Sequence, residues 1–236
     1  MYKNKITKKI INFLKSNFPK LLFIYYKIRF VFRAFYLKEP RAYLLWILKR
    51  GDKTAYKKFN LKSDSIFFDV GGFEGSYTEN IIKEYECNSY IFEPHPVYFE
   101  YLKNKFLTFE KIKLFNYGLG GKNRIVYLTD ESAGSKVSEK KTKYKVEIKD
   151  IVEVLRELNI KKIDLLKLNI EGSEYELLER LIESGEINKI SKMKIQFHEN
   201  IDNYESRRFL IREKLKLTHK EIWSYYFVWE RWDAIK

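Results

Sequence analysis

Two apolar segments, each followed by a turn that carries an acid, decide the fold of this chain. They read Ile66-Phe-Phe-Asp69-Val-Gly71-Gly72-Phe-Glu-Gly75 and Tyr90-Ile-Phe-Glu93-Pro94. The first predicts a buried strand that ends in a glycine-rich turn, and the second predicts another strand with an acid at its tip. In a βαβ unit such glycines let a helix N-terminus approach a cofactor, and such an acid meets ribose hydroxyls. The alternative for the glycines alone is a tight strand-to-helix turn.

The spacing of this turn indicates the class of cofactor. A dinucleotide fold uses G-x-G-x-x-G, whereas this turn reads Asp69-x-Gly71-x-x-x-Gly75 and contains a second acid, Glu74. Two negative side chains repel a diphosphate and attract a cofactor that carries an ammonium and a sulfonium group. We therefore expect S-adenosylmethionine rather than NAD.

Length and cysteine content limit the architecture. The 236 residues suit one α/β domain of ordinary size with an appendage. The single cysteine, Cys87, forms no internal disulfide, and the absence of a Cys/His cluster predicts no structural zinc and no metal. The basic start is not followed by an apolar core and a small-residue cleavage site, so we expect a cytoplasmic protein.

The net charge of +14 is concentrated in the first part of the chain. Residues 1–62 hold 17 Lys and Arg against 2 acids, a net of +15, and residues 63–236 have a net of −1. We therefore predict a basic aromatic helical extension, 1–62, and a nearly neutral catalytic domain, 63–236. The extension either packs on the domain or on a second subunit, or lies on an anionic membrane surface at the inner face of the cytoplasmic membrane. Nucleic acid is disfavoured because the catalytic part lacks a positive field.

The apolar periodicity predicts a doubly wound α/β sheet after Ser65. Before it, helices are expected to break near Pro19 and Pro40. Residues 121–149 predict two β-ribbons around an Asp130–Ser138 loop, which is either a substrate lid or a solvated hairpin. The segment Ile222–Trp232 predicts one last strand. The predicted strands are Ser65–Val70, Ser89–Phe92, Lys113–Tyr117, Ile163–Leu168 and Lys192–Phe197, and the predicted helices are Tyr77–Tyr85, Pro96–Asn104, Ile151–Leu158, Ser173–Ser184 and Ser206–Lys214.

Polar residues or glycines follow five successive predicted strands. Because ligands of open α/β sheets sit beyond the carboxyl ends of the strands, these positions form a candidate site. They are Asp69 with Gly71, Glu93, Asn116, Asn169 with Glu171, and His198 with Glu199.

Several ordered motifs resemble the FkbM family of S-adenosylmethionine-dependent methyltransferases over about residues 65–200. They are Phe68-Asp69-Val-Gly71 through Gly75-Ser-Tyr-Thr78, Phe92-Glu93-Pro94, Asn116-Tyr-Gly118-Leu-Gly120, Asp164-Leu-Leu-Lys-Leu-Asn169-Ile-Glu171-Gly172-Ser-Glu174 and Gln196-Phe197-His198. The resemblance implies a Rossmann-like class I methyltransferase sheet with helices on both faces. A β-hairpin insertion and the N-terminal helical extension complete this fold class.

The resemblance also implies methyl transfer to a hydroxyl, often that of a sugar. The expected cofactor residues are Asp69, Gly71, Gly72, Gly75, Glu93, Pro94 and Asn116. Among these, Asp69 takes the amino-acid end of the cofactor, Glu93 the ribose and Asn116 the adenine edge.

The expected catalytic residues are His198, Glu171 and Asn169. Imidazole titrates near neutrality, so His198 suits the base, and its alternative is a hydrogen-bonded histidine at a strand end. Glu171 is the other candidate base, or a cap of the helix near Ser173. The family often has Asn where Phe73 stands and Asp where Asn169 stands, and the second change removes a carboxylate near the transferred methyl group.

The leading hypothesis is an O-methyltransferase that acts on a sugar of a bacterial cell-surface glycan, with a lipid-linked sugar as one form of the substrate. The second hypothesis keeps the enzyme and changes the substrate to RNA. The third is a non-catalytic binding module with a methyltransferase-like fold.

Overall fold

The computed structural model describes residues 18–129, 137–138 and 141–235. The chain divides into two compact units, Met1–Asp52 and Lys53–Lys236. Residues 53–62, which the sequence assigned to the extension, therefore belong to the second unit. There Phe59 is fully buried and packs in one cluster with Phe67 and Ile81.

The first unit contains two helices that pack on each other. They are α1 (Pro19–Tyr36) and α2 (Lys38–Leu48), and the short helix α3 (Gly51–Thr54) follows them. Pro19 is the first residue of α1, where its missing N–H costs nothing. The break between the helices lies at Leu37, whose backbone is extended, and Pro40 occupies the first turn of α2. The part of the predicted extension before Phe18 lies outside the described residues.

The second unit is built on a seven-stranded sheet in the order β10-β11-β9-β8-β1-β2-β3. The five strands β9, β8, β1, β2 and β3 run parallel to one another. Strand β11 pairs antiparallel with both of its neighbours, β9 and β10. The strands are β1 (Ile66–Val70), β2 (Asn88–Phe92), β3 (Ile112–Phe115), β8 (Leu165–Leu168), β9 (Lys192–Ile195), β10 (His219–Tyr225) and β11 (Trp229–Ala234).

Helices cover both faces of this sheet. Successive strand residues point to opposite faces, so Phe67 packs with Ile81 of one helix, whereas Phe68 packs in a different cluster with Tyr175 and Leu178. The described helices of this unit are α4 (Ser76–Tyr85), α5 (Pro96–Lys105), α6 (Ile151–Glu157), α7 (Glu174–Glu183) and α8 (Tyr204–Leu215). The predicted Rossmann-like α/β fold is confirmed.

A second, four-stranded sheet in the order β4-β7-β5-β6 forms the insertion. Its strands are β4 (Gly118–Gly120), β5 (Arg124–Leu128), β6 (Val137–Ser138) and β7 (Tyr144–Asp150). The predicted ribbons correspond to β5 and β7, which pair antiparallel. The short strand β4, which pairs parallel with β7, was not predicted. Most of the expected Asp130–Ser138 lid lies outside the described residues.

The prediction of one C-terminal strand was wrong. The segment forms two antiparallel strands, β10 and β11, joined by a turn at residues 226–228. Phe227 adopts φ 52° in this turn, and the Val228 N–H donates to the Tyr225 carbonyl at 2.8 Å. The turn contains no glycine, proline or asparagine, so the usual sequence signals of a hairpin are missing.

Within the described residues, no helix is both long enough and apolar enough to cross a membrane.

Candidate functional site

A cavity opens beyond the carboxyl ends of β1, β2 and β8. Its empty volume, counting the solvent in the open mouth, is about 850 Å³. One wall comes from the main sheet and the other from the insertion, which contributes Leu128, Val137 and Ile148. The described acids in the lining are Glu93 and Glu171, and the described lining contains no Lys or Arg.

Glu93 is held rigidly at the tip of β2. One carboxylate oxygen accepts the N–H of Phe73 at 2.8 Å, and the other accepts the N–H of His95 at 2.9 Å. Each carboxylate oxygen has two acceptor positions, so each keeps one for a ligand. Burial raises the pKa of Glu93 above its usual value, and the two N–H donors oppose this effect. Glu93 therefore presents two oriented acceptors, as a pair of ribose hydroxyls requires.

Of the three glycines in the turn, only Gly71 lines the cavity. Its φ is 83°, and a Cβ there would lie 2.1 Å from the Asn169 carbonyl oxygen. The N–H groups of Gly71 and Gly72 both donate to the Phe92 carbonyl, so they hold β1 to β2. A Cβ on Gly72 or Gly75 would strike core side chains, and neither residue belongs to the described lining, so their expected cofactor role stays a prediction.

Asp69 does not reach the cavity, so its predicted contact with the cofactor was wrong. The side chain is completely buried between two partners. One carboxylate oxygen accepts the Thr78 hydroxyl at 2.6 Å, and the other pairs with Lys167 Nζ at 2.8 Å. Lys167 Nζ also donates to the Gly71 carbonyl at 2.6 Å. Asp69 therefore stabilises the turn after β1 through Thr78 and through Lys167.

Pro94 and Asn169 line the cavity, as expected from their positions. The Asn169 side-chain oxygen is buried and has no hydrogen-bond partner among the described residues, so it can accept a hydrogen bond from a ligand. Asn116 is exposed and is not part of the described lining, so its adenine contact stays a prediction without support from the cavity. The chain turns after Phe115, and this turn carries Asn116 outward.

Glu171 and His198 form a pair at the end of β8 and β9. Glu171 lines the cavity and adopts φ 51°, a strained conformation for a residue with a side chain. His198 Nε2 lies 3.4 Å from the Glu171 carboxylate, and His198 Nδ1 lies 3.0 Å from that of Glu174. Helix α7 starts at Glu174, and its N-cap residue, Ser173, makes no side-chain cap.

His198 is a poor candidate for the base. Burial lowers its pKa, but the hydrogen bonds to Glu171 and Glu174 and their charges outweigh burial and raise the pKa to about 9. The imidazole is therefore protonated near neutral pH and cannot accept a proton there. It is also absent from the described lining of the cavity. The ring instead lies between the carboxylates of Glu171 and Glu174.

The raised pKa makes a prediction for stability. The folded pKa of about 9 exceeds the ordinary 6.5, so His198 stabilises the fold fully below pH 6.5, and this contribution is lost as the pH rises through 9. We expect the excess stability of the parent over His198→Gln to shrink by up to about 3 kcal/mol across this window. Urea unfolding at several pH values measures it.

The matched control for this prediction is His219→Gln. Burial lowers the pKa of His219, so it is neutral in both states above pH 6.5. Its stability difference from the parent should stay constant across the same window. A constant difference for His198→Gln as well would contradict the charged state of His198.

Glu174 is the important residue that the sequence analysis did not assign. It is fully buried and accepts the N–H of Gly172 at 2.9 Å and the N–H of His198 at 2.7 Å. It therefore ties the Glu171 loop to the His198 loop. The signal was present, because Glu174 shares the apolar face of its helix with Leu177, Leu178 and Leu181.

A cluster of aromatic rings at the cavity was also missed. The ring of His95 lies 4.9 Å from that of Tyr98 and 4.2 Å from that of Tyr144, and the Phe73 ring lies 4.5 Å from Tyr98. Phe73, His95 and Tyr98 are part of the lining. Phe73 comes from the turn after β1, whereas His95 and Tyr98 lie three residues apart at the start of α5, so sequence spacing could reveal only that pair.

No group of three or more His, Cys, Asp or Glu side chains in the described ranges is arranged to hold a metal ion. Cys87 is buried and free.

The parallel sheet and the cavity beyond its strand ends define the architecture of Rossmann-like methyltransferases. The sequence pattern of the methyltransferase FkbM domain matches residues 69–226. The chain therefore belongs to the FkbM methyltransferase family, and the resemblance noted in the sequence is confirmed.

Solved structures share this fold at low sequence identity. A protein from Clostridium thermocellum that carries an rRNA-methylase assignment is 9% identical, with TM-score 0.51, over 79% of this chain and 95% of that chain. Aeropyrum pernix fibrillarin, solved with natively bound S-adenosyl-L-methionine, is 10% identical, with TM-score 0.43, over 74% of this chain and 67% of that one. No curated protein matches the sequence.

Proposed function

We propose that this chain is an S-adenosylmethionine-dependent O-methyltransferase that acts on a sugar hydroxyl of a bacterial cell-surface glycan or a related glycoconjugate. The observation that carries the proposal is the charge of the cavity. Its described lining holds two carboxylates, Glu93 and Glu171, and no cationic side chain. A cofactor with sulfonium and ammonium groups fits such a site, whereas a diphosphate would be repelled.

The residues of the cavity fit this cofactor at two further points. The two oxygens of Glu93, each fixed by one backbone N–H, would accept the two ribose hydroxyls. The unpartnered Asn169 oxygen would accept a hydrogen bond from the cofactor's ammonium group. The sequence argument placed the negative charge that attracts the cofactor at Asp69 and Glu74. In the structure the acids that line the cavity are Glu93 and Glu171.

S-adenosylmethionine, when bound, supplies a methyl group activated by a positive sulfur. The protein must align the acceptor hydroxyl and receive its proton as the new bond between oxygen and methyl carbon forms. We assign proton acceptance to a Glu171 carboxylate oxygen, because Glu171 lines the cavity and His198 does not. The protonated His198 orients this carboxylate, and Glu174 in turn orients His198.

The apolar and aromatic part of the lining supports a sugar as acceptor. Phe73 and Tyr98 offer ring faces beside the acids, and apolar side chains of the insertion form the opposite wall. A ring with apolar faces and hydroxyl edges matches such a combination.

The prediction for the acceptor side is that Glu171→Gln lowers the rate of methyl transfer by about a hundredfold or more. Glutamine keeps the shape of the side chain and cannot take the proton. Because Glu171 also contributes negative charge to the cavity, the affinity for S-adenosylmethionine should fall much less than the rate does, as calorimetry can show. The initial rate of methyl-label transfer to extracted surface glycolipid is the readout.

Glu183→Gln serves as the control, because Glu183 is an exposed acid at the far end of α7. It should leave the rate unchanged. Parental turnover by Glu171→Gln would remove Glu171 from its assigned role.

The substrate class is tested by offering the protein methyl-labelled cofactor with either surface glycolipid or total RNA. We expect label in a sugar, located by mass spectrometry of the glycans with and without the protein. Label in RNA would contradict the proposed sugar substrate and indicate a nucleic-acid substrate. Absence of a thermal shift with S-adenosylmethionine would indicate a binding module instead of an enzyme.

A further inference from the structure

Helix α1 presents an exposed apolar stripe. Its members are Ile24, Ile28, Val31, Phe32 and Phe35, which recur at the spacing of one helix face. Their exposed fractions are 51, 65, 42, 63 and 68%. Single exposed apolar side chains are ordinary, but a contiguous row of five marks an interaction surface. We call these five residues the α1 stripe.

The α1 stripe is not the face that holds the first unit together. The contacts between α1 and α2 use Ala34, which is buried, and Phe30, whose ring meets that of Tyr43 edge-on at 5.9 Å. Arg41 of α2 also donates from Nε to the Ala34 carbonyl at 3.1 Å. The helix pair is thus stabilised by other residues, and the α1 stripe is left for another partner.

The charge of the helix identifies this partner. Residues Pro19–Tyr36 contain no acid and four basic residues, Lys20, Lys27, Arg29 and Arg33. The Lys27 ammonium lies 4.4 Å from the centre of the Phe23 ring, an arrangement in which a basic group and an aromatic group are adjacent. Basic residues beside exposed aromatic and aliphatic residues are the composition of helices that lie in the interface of an anionic bilayer.

We propose that α1 binds the surface of an anionic lipid bilayer, lying in its plane. The α1 stripe inserts among the acyl chains near the headgroups, and the four basic residues contact the anionic headgroups. The net charge of +15 over residues 1–62 adds a longer-range attraction to such a surface. This proposal does not depend on the chemistry of the cavity.

A second copy of the chain is the competing partner. The spacing of Ile24, Ile28, Val31 and Phe35 also suits the pairing of two helices. Such pairing would bring together two basic helices with no acid in α1 to neutralise them. An anionic lipid surface buries the same apolar area and neutralises the same charges, so the charge pattern favours lipid.

The test is flotation of the full chain with vesicles of phosphatidylcholine, either alone or with about 30 mol% phosphatidylglycerol. We expect binding to the anionic vesicles at about 0.1 M salt, and weak binding to neutral vesicles or at about 0.5 M salt. The variant Ile28→Glu with Phe32→Glu should lower the partition coefficient by about tenfold or more. The variant Lys27→Gln with Arg29→Gln and Arg33→Gln should lose the preference for anionic vesicles.

The matched control is Leu107→Glu with Leu217→Glu. Both leucines are exposed, at 82 and 81%, and both belong to the second unit, so the same added charges should leave vesicle binding unchanged. Helix content by circular dichroism should be parental in all three variants, which shows that each is folded.

Three results would overturn the proposal. The first is equal flotation of the parent and of the variant with acids in the α1 stripe, and the second is no flotation of the parent with anionic vesicles. The third is a dimer, seen in sedimentation experiments, that dissociates when the acids are placed in the α1 stripe and that does not bind vesicles. That result would assign the α1 stripe to a second copy.

Discussion

Glu93→Ala is expected to weaken the binding of S-adenosylmethionine by about a hundredfold or more. The substitution removes both oxygens that we assign to the ribose hydroxyls, and hydrogen bonds to a charged acceptor contribute about 1.5–3 kcal/mol each. It also leaves the N–H groups of Phe73 and His95 without their acceptor. Isothermal titration calorimetry with S-adenosylmethionine measures the loss.

The control for this experiment is Glu74→Ala. Glu74 lies next to Phe73 on the turn after β1, and its side chain is exposed and outside the described lining. Its removal should leave the affinity within about twofold of the parent. Thermal unfolding without cofactor shows that Glu93→Ala is folded under the conditions of the titration. If Glu93→Ala binds the cofactor as the parent does, the cofactor position is wrong and the proposed reaction loses its basis.

Asp69→Asn is expected to destabilise the fold by about 3–5 kcal/mol. The substitution keeps the shape of the side chain but removes the charge that Lys167 pairs with, and breaking one partner of a buried ion pair leaves the other uncompensated. Lys167 is almost completely buried and cannot recover hydration without moving. Urea unfolding at fixed pH measures the change in the free energy of unfolding.

Two observations separate this structural role from contact with the cofactor. The exposed acid Asp64, just before β1, supplies the control Asp64→Asn, which should change the stability by no more than about 0.5 kcal/mol. The folded fraction of Asp69→Asn should bind S-adenosylmethionine with near-parental affinity. Parental stability combined with lost affinity would return Asp69 to the cofactor site.

The parallel part of the main sheet could be predicted because strands such as β1, β2 and β8 are short apolar runs bounded by polar residues. Predicted and observed bounds of β1 and β2 differ by one residue. The doubly wound order follows from alternation of these runs with amphipathic helices. The strand β4 was missed because Gly118–Gly120 has neither alternation nor β-branched residues. The turn between β10 and β11 was missed because aromatic residues occupy it.

The sequence predicted several residues that line the cavity, but it did not predict what surrounds each candidate side chain. The strand ends that the sequence named include Glu93, Asn169 and Glu171, and these three do line one cavity. Asp69 looked equivalent to Glu93, because both are acids near the end of an apolar strand. The difference is one of register: Asp69 is opposite Lys167 in the neighbouring strand, and two charges inside buried strands must neutralise each other.

The same limit applies to His198. From the sequence alone, a histidine at a strand end is expected to have an ordinary pKa, because its neighbours in space are not known. Here Glu171 and Glu174 approach it from a loop and a helix start that precede it by more than twenty residues. Their combined charge, which no local pattern reveals, turns a candidate base into a fixed cation.

The two walls of the cavity belong to separate sheets, and this has a consequence for how such an enzyme can diversify. Glu93 and Asn169, to which we assign the methyl donor, follow strands of the main sheet, whereas Leu128 and Ile148 belong to the insertion. Replacing side chains on the insertion would therefore retune acceptor selectivity while donor recognition persists. A library confined to β5 and β7 would be the natural starting material for engineering new acceptors.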